Sequence, residues 1–134
     1  MKSLRTISAS VFLILTLLLS GQIAIASTLD EKAGLQAAML RHIDRQLVDG
    51  AYLHLDRATG EARQLYPTKA HPMILTLGDS FVLCSEFKDG SGATANIDFY
   101  MARNGSSYVV FETAVDDRDM LMRWMSEGKA ERFD

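Results

Sequence analysis

Apolar and polar positions alternate in three runs of the chain, residues 81–87, 95–103 and 107–115. Lys88-Asp89-Gly90-Ser91-Gly92 and Arg103-Asn104-Gly105-Ser106 separate the runs, and both are turn-forming compositions. Successive side chains of a strand point to opposite faces, so the pattern predicts three antiparallel strands joined as hairpins. One face collects Phe81, Leu83, Phe87, Ile97, Phe99, Met101, Val109, Phe111 and Val115. The other, mixed face collects Val82, Cys84, Glu86, Asn96, Asp98, Tyr100, Tyr108, Val110 and Glu112. The apolar sets share a face only if paired residue numbers have even sums, which asks for loops of odd length. A three-residue loop at Arg103-Asn104-Gly105, closed by a glycine bulge, meets this condition. A two-residue Asn-Gly turn would shift the register by one and is rejected.

Upstream the period changes. Over residues 28–48, Leu29, Ala33, Ala37, Leu40, Ile43 or Asp44, and Leu47 recur every three or four positions, which predicts an amphipathic helix. Thr28 or Asp30 can cap it, Asp49-Gly50 is expected to end it, and Ala33, Gly34, Ala37 and Ala38 permit close approach to a sheet. Leu40, Ile43 and Leu47 are expected against Phe99 and Phe111 as the main core. Residues 51–66 read as a hairpin with a polar turn. Pro67 and Pro72 are expected to bracket a loop before a short strand at residues 73–77. After the meander, one of Asp116, Asp117 and Asp119 should cap a short helix burying Met120, Leu121, Trp124 and Met125, with residues 129–134 as a tail or edge strand. The expected fold is α+β: an N-terminal helix on a curved antiparallel sheet of four to five strands, then a short C-terminal helix.

The first residues read as an address. Lys2 and Arg5 precede an apolar stretch at residues 11–19, a Ser20-Gly21 break and Ala24-Ile25-Ala26. This pattern predicts a secretory signal peptide over residues 1–26, cleaved before Ser27, with an uncleaved membrane anchor as the alternative. Cleavage would leave 108 of the 134 residues as one exported domain, periplasmic or extracellular and free of the membrane. Two of the 14 Lys and Arg fall in the leader, so 12 remain against 17 Asp and Glu, a net charge of −5. That sign, with no basic stripe, excludes a nucleic-acid binder.

No stretch carries a specific catalytic, cofactor- or ligand-binding signature. Cys84 is the only cysteine, which rules out an intramolecular disulfide; mid-strand, it is expected to be a buried, inert thiol rather than a dimer link or a nucleophile. The mixed face gathers Glu86, Asp98, Glu112, Cys84, Tyr100 and Tyr108 as the candidate binding residues. Its carboxylates could divide acid and base roles or hold a hard cation, but a half-covered face needs neither. His42, His54 and His71 lack metal-ligand spacing. Met120, Met122 and Met125 are soft ligands suited to copper, yet helical geometry turns Met122 away from Met120, so core packing is the simpler account.

A long helix crossing an antiparallel sheet resembles the cystatin-like and NTF2-like folds in element order over residues 28–115. No Gln-x-Val-x-Gly loop of the cystatins is present. Such folds host enzymes, binding modules and inhibitors, so the resemblance implies no one activity. Taken together, these features predict an exported binding domain without catalysis, its partner a second copy or another protein. The alternatives are a periplasmic carrier of copper or calcium, or a small hydrolase or isomerase with a helix–sheet cavity. A homodimer is expected to cover Tyr100, Tyr108, Val82 and Val110, with the C-terminal helix as the rival cover.

Overall fold

The computed structural model describes residues 28–134; the predicted signal peptide and its cleavage site lie outside the described residues. The chain divides into two units, Met1–Ala33 and Gly34–Asp134. Residues 28–46 are helical; the portion from residue 34 onward, which belongs to the second unit, is α1 below. The strands follow as β1 (Leu47–Val48), β2 (Ala51–Leu55), β3 (Ala62–Leu77), β4 (Ser80–Asp89), β5 (Thr94–Asn104) and β6 (Ser107–Val115). Then come α2 (Asp119–Ser126) and β7 (Ala130–Arg132). The class is α+β, but the sheet has seven strands rather than four to five. β1 to β6 form an uninterrupted antiparallel meander, and β7 returns to pair with β3. Among the described residues no helix is long and apolar enough to cross a membrane.

The extra strands have local causes. Asp49-Gly50 does not cap the helix; it turns the β1–β2 hairpin, pairing Val48 with Ala51. Both residues have positive φ (51° and 80°), as a type I′ turn requires. The expected loop around the prolines is absorbed into one 16-residue strand, β3, with irregularities between Pro67 and Lys69 and between Ala70 and Ile74. On its outer side β3 pairs with β2 through Leu65 and with β7 from Leu75 onward. Pro67 and Pro72 fall in the stretch between those partners, where the outer edge of β3 is unpaired and a nitrogen facing it costs no ladder bond.

The main core lies between α1 and one face of the sheet. Leu35, Ala38, Met39 and Ile43 of α1 bury against Tyr52, Leu65, Phe81, Leu83, Phe87, Ile97, Phe99 and Met101. The helix is therefore rotated from the predicted stripe: Leu40 is exposed, Leu47 is partly buried, and Leu35 and Met39 take the core positions. The sheet also curls. Tyr52 of β2 and Phe99 of β5 are three strand steps apart, about 14 Å in a flat sheet, yet their ring centroids lie 6.3 Å apart. Arg63 of β3 likewise reaches Asp116, just past β6, at 3.3 Å.

The two hairpins of the central meander differ from each other. Between β4 and β5 the expected register holds throughout, from Phe81↔Met101 to Lys88↔Thr94. Between β5 and β6 the loop is two residues, Gly105-Ser106, with Asn104 opposite Ser107 and Gly105 at φ 61°. Even sums return only beyond an irregularity between Tyr100↔Glu112 and Met101↔Val110, which leaves Phe111 as the extra residue. Nearer the turn every side chain changes face. Tyr108 and Val110 pack on the main core, whereas Val109 and Phe111 are exposed. The placement of Phe111 in the core and Tyr108 on the mixed face is thus corrected.

Candidate binding site

On the mixed face the chain buries a charge. Asp98 in β5 is 1 % exposed and is gripped from both sides by Arg118, whose Nε donates to Oδ2 at 2.9 Å and Nη2 to Oδ1 at 2.8 Å. A carboxylate taken out of water must be neutralised and hydrogen-bonded, and the planar guanidinium does both. Arg118 is also the N-cap residue of α2, and no side chain caps that helix, contrary to the expected aspartate. The ion pair therefore fixes where α2 starts. One turn on, Leu121 buries with Leu75, Val82, Tyr100 and Ala130, and the Trp124 ring stands edge-on to Tyr100 (6.3 Å, 88°). The cover expected from a second copy is supplied at Tyr100 by α2.

Cys84 lies opposite Asp98 in the ladder and is buried and free. Burial, then the Asp98 carboxylate, push its thiol up to about 12. A thiol held protonated is a poor nucleophile and a poor metal ligand.

Beside α2 opens a groove of about 850 Å³. One wall is the end of β2 and its turn, including His54, Asp56 and Arg57; the other is Phe111 to Val115 of β6. Tyr100 and Trp124 lie between them, with Met120 and Asp117 along the α2 side. The curl of the sheet makes this groove by bringing the β2–β3 turn toward β6. The Tyr100 phenol is held above its ordinary range by burial and by the carboxylates of Asp98, Asp117 and Glu112, against an opposing effect of Arg118.

Of the residues expected to bind, Tyr100 and Glu112 line the groove and are cross-strand partners. Asp98 and Cys84 lie beneath the start of α2. Glu86 sits elsewhere, its backbone oxygen and carboxylate both near the Thr68 hydroxyl (2.9 and 3.4 Å). Tyr108 is on the opposite face, edge-on to Phe81. The methionines are not core: Met120, Met122 and Met125 are all exposed, and Leu121 alone of α2 is fully buried. The histidines do not converge. His42 packs on Phe99 in the main core, with its pKa lowered by burial and by Arg45; His54 lines the groove; His71 accepts a bond from Gln36 through its backbone oxygen. Among the described residues no group of three or more His, Cys, Asp and Glu is placed to hold a metal.

Phe111, Asp117, His54 and Arg57 line the groove without having been singled out for it. Phe111 was placed on the other face because no local signal marks the bulge at that residue. Of the remaining three, Asp117 meets His54 and Arg57, which share one hairpin, only through curling of the sheet. In comparisons with protein-family models, curated proteins and solved structures, the chain matches none.

Proposed function

We propose that the protein is a small exported binding domain, without catalytic chemistry, that takes its ligand in the groove between β6, α2 and the β2–β3 turn. The observation that carries this reading is the groove itself: about 850 Å³, with the edge-to-face pair of Tyr100 and Trp124 in its lining. Its volume falls within the range of small-molecule sites, and convergent aromatic and polar lining is their usual chemistry. The groups best suited to reaction are held in inert states beside it, Asp98 by Arg118 and the Cys84 thiol by burial. Export rests on Lys2, Arg5, the apolar stretch and Ala24-Ile25-Ala26. The helix-then-meander order keeps its likeness to cystatin-like and NTF2-like folds, and that likeness carries no activity.

A neutral apolar dye, Nile red, tests the groove. The dye should bind saturably with a blue-shifted emission, and Phe111→Ser and Met120→Ser should each weaken binding severalfold. Both side chains are exposed, so neither change threatens the fold. Dye binding that ignores both substitutions would sink the reading. Intact mass of protein recovered outside the cytoplasm should place the N-terminus at Ser27; a full-length, membrane-bound chain would refute export.

A further inference from the structure

The geometry points to a small organic cation, an ammonium carrying N-methyl groups, as the ligand of this groove. The inference rests on the groove reading above and adds the charge and shape of the head group. Three features of the groove support it together.

The first is the pair of aromatic walls. Tyr100 and Trp124 meet at 88° with centroids 6.3 Å apart, and Phe111 lines the same groove. Tyr100 is only 9 % exposed, so the π-faces within reach of a cation in the groove are those of the half-buried Trp124 and the exposed Phe111. The second is the sign of the charge. Asp56, Glu112 and Asp117 line the groove against one guanidinium, that of Arg57. Asp56 is engaged in its own turn, accepting from the amides of Ala58 and Thr59. Glu112 sits directly across the ladder from Tyr100. Asp98, close by, is already neutralised by Arg118. Glu112 likewise accepts the Thr113 amide (2.9 Å), so the negative charge best placed for a ligand is that of Asp117, on the α2 side near Tyr100. The third is the apolar part of the lining: Phe111, Met120 and Leu55 can meet the N-methyl groups, which a hard cation lacks. A methylated ammonium is weakly hydrated and loses little on entering such a site, whereas a sodium or calcium ion loses much.

Trp124 is the only tryptophan of the chain, so its emission reports on the site directly. The purified protein is titrated with choline and, separately, with 3,3-dimethyl-1-butanol, which has the same shape with carbon in place of the charged nitrogen. Choline should change Trp124 emission saturably and bind about tenfold more tightly than the alcohol, the scale of a cation–π contact reinforced by a carboxylate. Asp117→Asn, an exposed position, should weaken choline severalfold and leave the alcohol unchanged. Equal affinities for the two probes, or indifference of choline to Asp117→Asn and Glu112→Gln together, would overturn the cation inference. Nile red binding would then show whether the groove itself survives as a site; if neither probe nor dye binds, both readings fall.

Discussion

Under α1 the sheet buries Leu83, Phe87, Ile97, Phe99 and Met101 together with Leu35, Met39 and Ile43, a continuous apolar layer. Under α2 the opposite face of the same strands buries only Leu75, Val82, Tyr100, Leu121 and Ala130, around a carboxylate and a thiol. The first face has the area to stabilise the domain by burial. The second is held by one leucine, one ion pair and the three ladder positions of β7, and it leaves a groove open. One sheet thus divides its work: the broad apolar face maintains the fold, while the thin, polar one leaves the groove in which binding is proposed. Regions with few buried apolar contacts open at lower free energy than the core, so ligand-linked motion should concentrate in α2 and β7.

The comparison is most exposed to failure at Phe99 and Phe111, two phenylalanines on neighbouring strands. Phe99→Ala should lower unfolding free energy by about 3–5 kcal/mol through lost burial and a residual cavity. Phe111→Ala, at an exposed position, should change it by about 0.5 kcal/mol or less. Urea denaturation of both variants decides; similar costs would mean that Phe111 is in the core after all. Next in size is Leu121→Ala, expected to cost about 2–3 kcal/mol because it removes the one fully buried side chain of α2. Its signature is regional: Trp124 emission should move to the red while the sheet's circular dichroism persists.

The ion pair sharpens the contrast further. Arg118→Ala strands a buried carboxylate and should cost about 2–3 kcal/mol, whereas Asp98→Ala leaves a guanidinium able to turn into water and should cost about 1 kcal/mol. The reverse order would mean that Arg118, not Asp98, is the buried member. The smallest effects are in pH, and the two faces should respond at opposite ends. Burial lowers the His42 pKa, so its contribution is complete above the unfolded value of 6.5 and fades as pH falls below it. Cys84 is raised from 9.0 to about 12, so its contribution is complete below about pH 9 and is lost as pH rises toward 12. His42→Leu should flatten the acid limb of stability against pH, and Cys84→Ala part of the alkaline limb. An exchange of those effects would refute the assignment of the two residues to their faces.

Local pattern was sufficient for most of the strands and for the β4–β5 register, though not for β1 or for the run of β3 through Pro67 and Pro72. Period-two alternation identifies a strand wherever one face is buried, and Gly90-Ser91-Gly92 makes an odd loop that keeps Phe81, Leu83 and Phe87 on the face of Phe99. The hairpin at residues 51–66, the existence of both helices and the burial expected of Cys84 were legible for the same reason: each depends on neighbours in sequence. The rotation of α1 was not. Leu35, Ala37, Ala38, Met39 and Leu40 put apolar groups on most sides of the helix, so periodicity alone could not select Leu35 and Met39 over Leu40. Nor did any residue near Phe111 announce the bulge, whose two-for-one pairing moved Tyr108 into the core and Phe111 out of it. The candidate groove was the least legible part. Asp98 read as a surface carboxylate until Arg118, twenty residues on, was brought against it. His54 and Asp117 share a groove only because the sheet curls. The sequence by itself determined for most segments whether they extend or form helix, since those preferences act over a few residues. Tertiary structure alone decided which face α2 would cover and where the groove opens, because both depend on packing between segments distant along the chain.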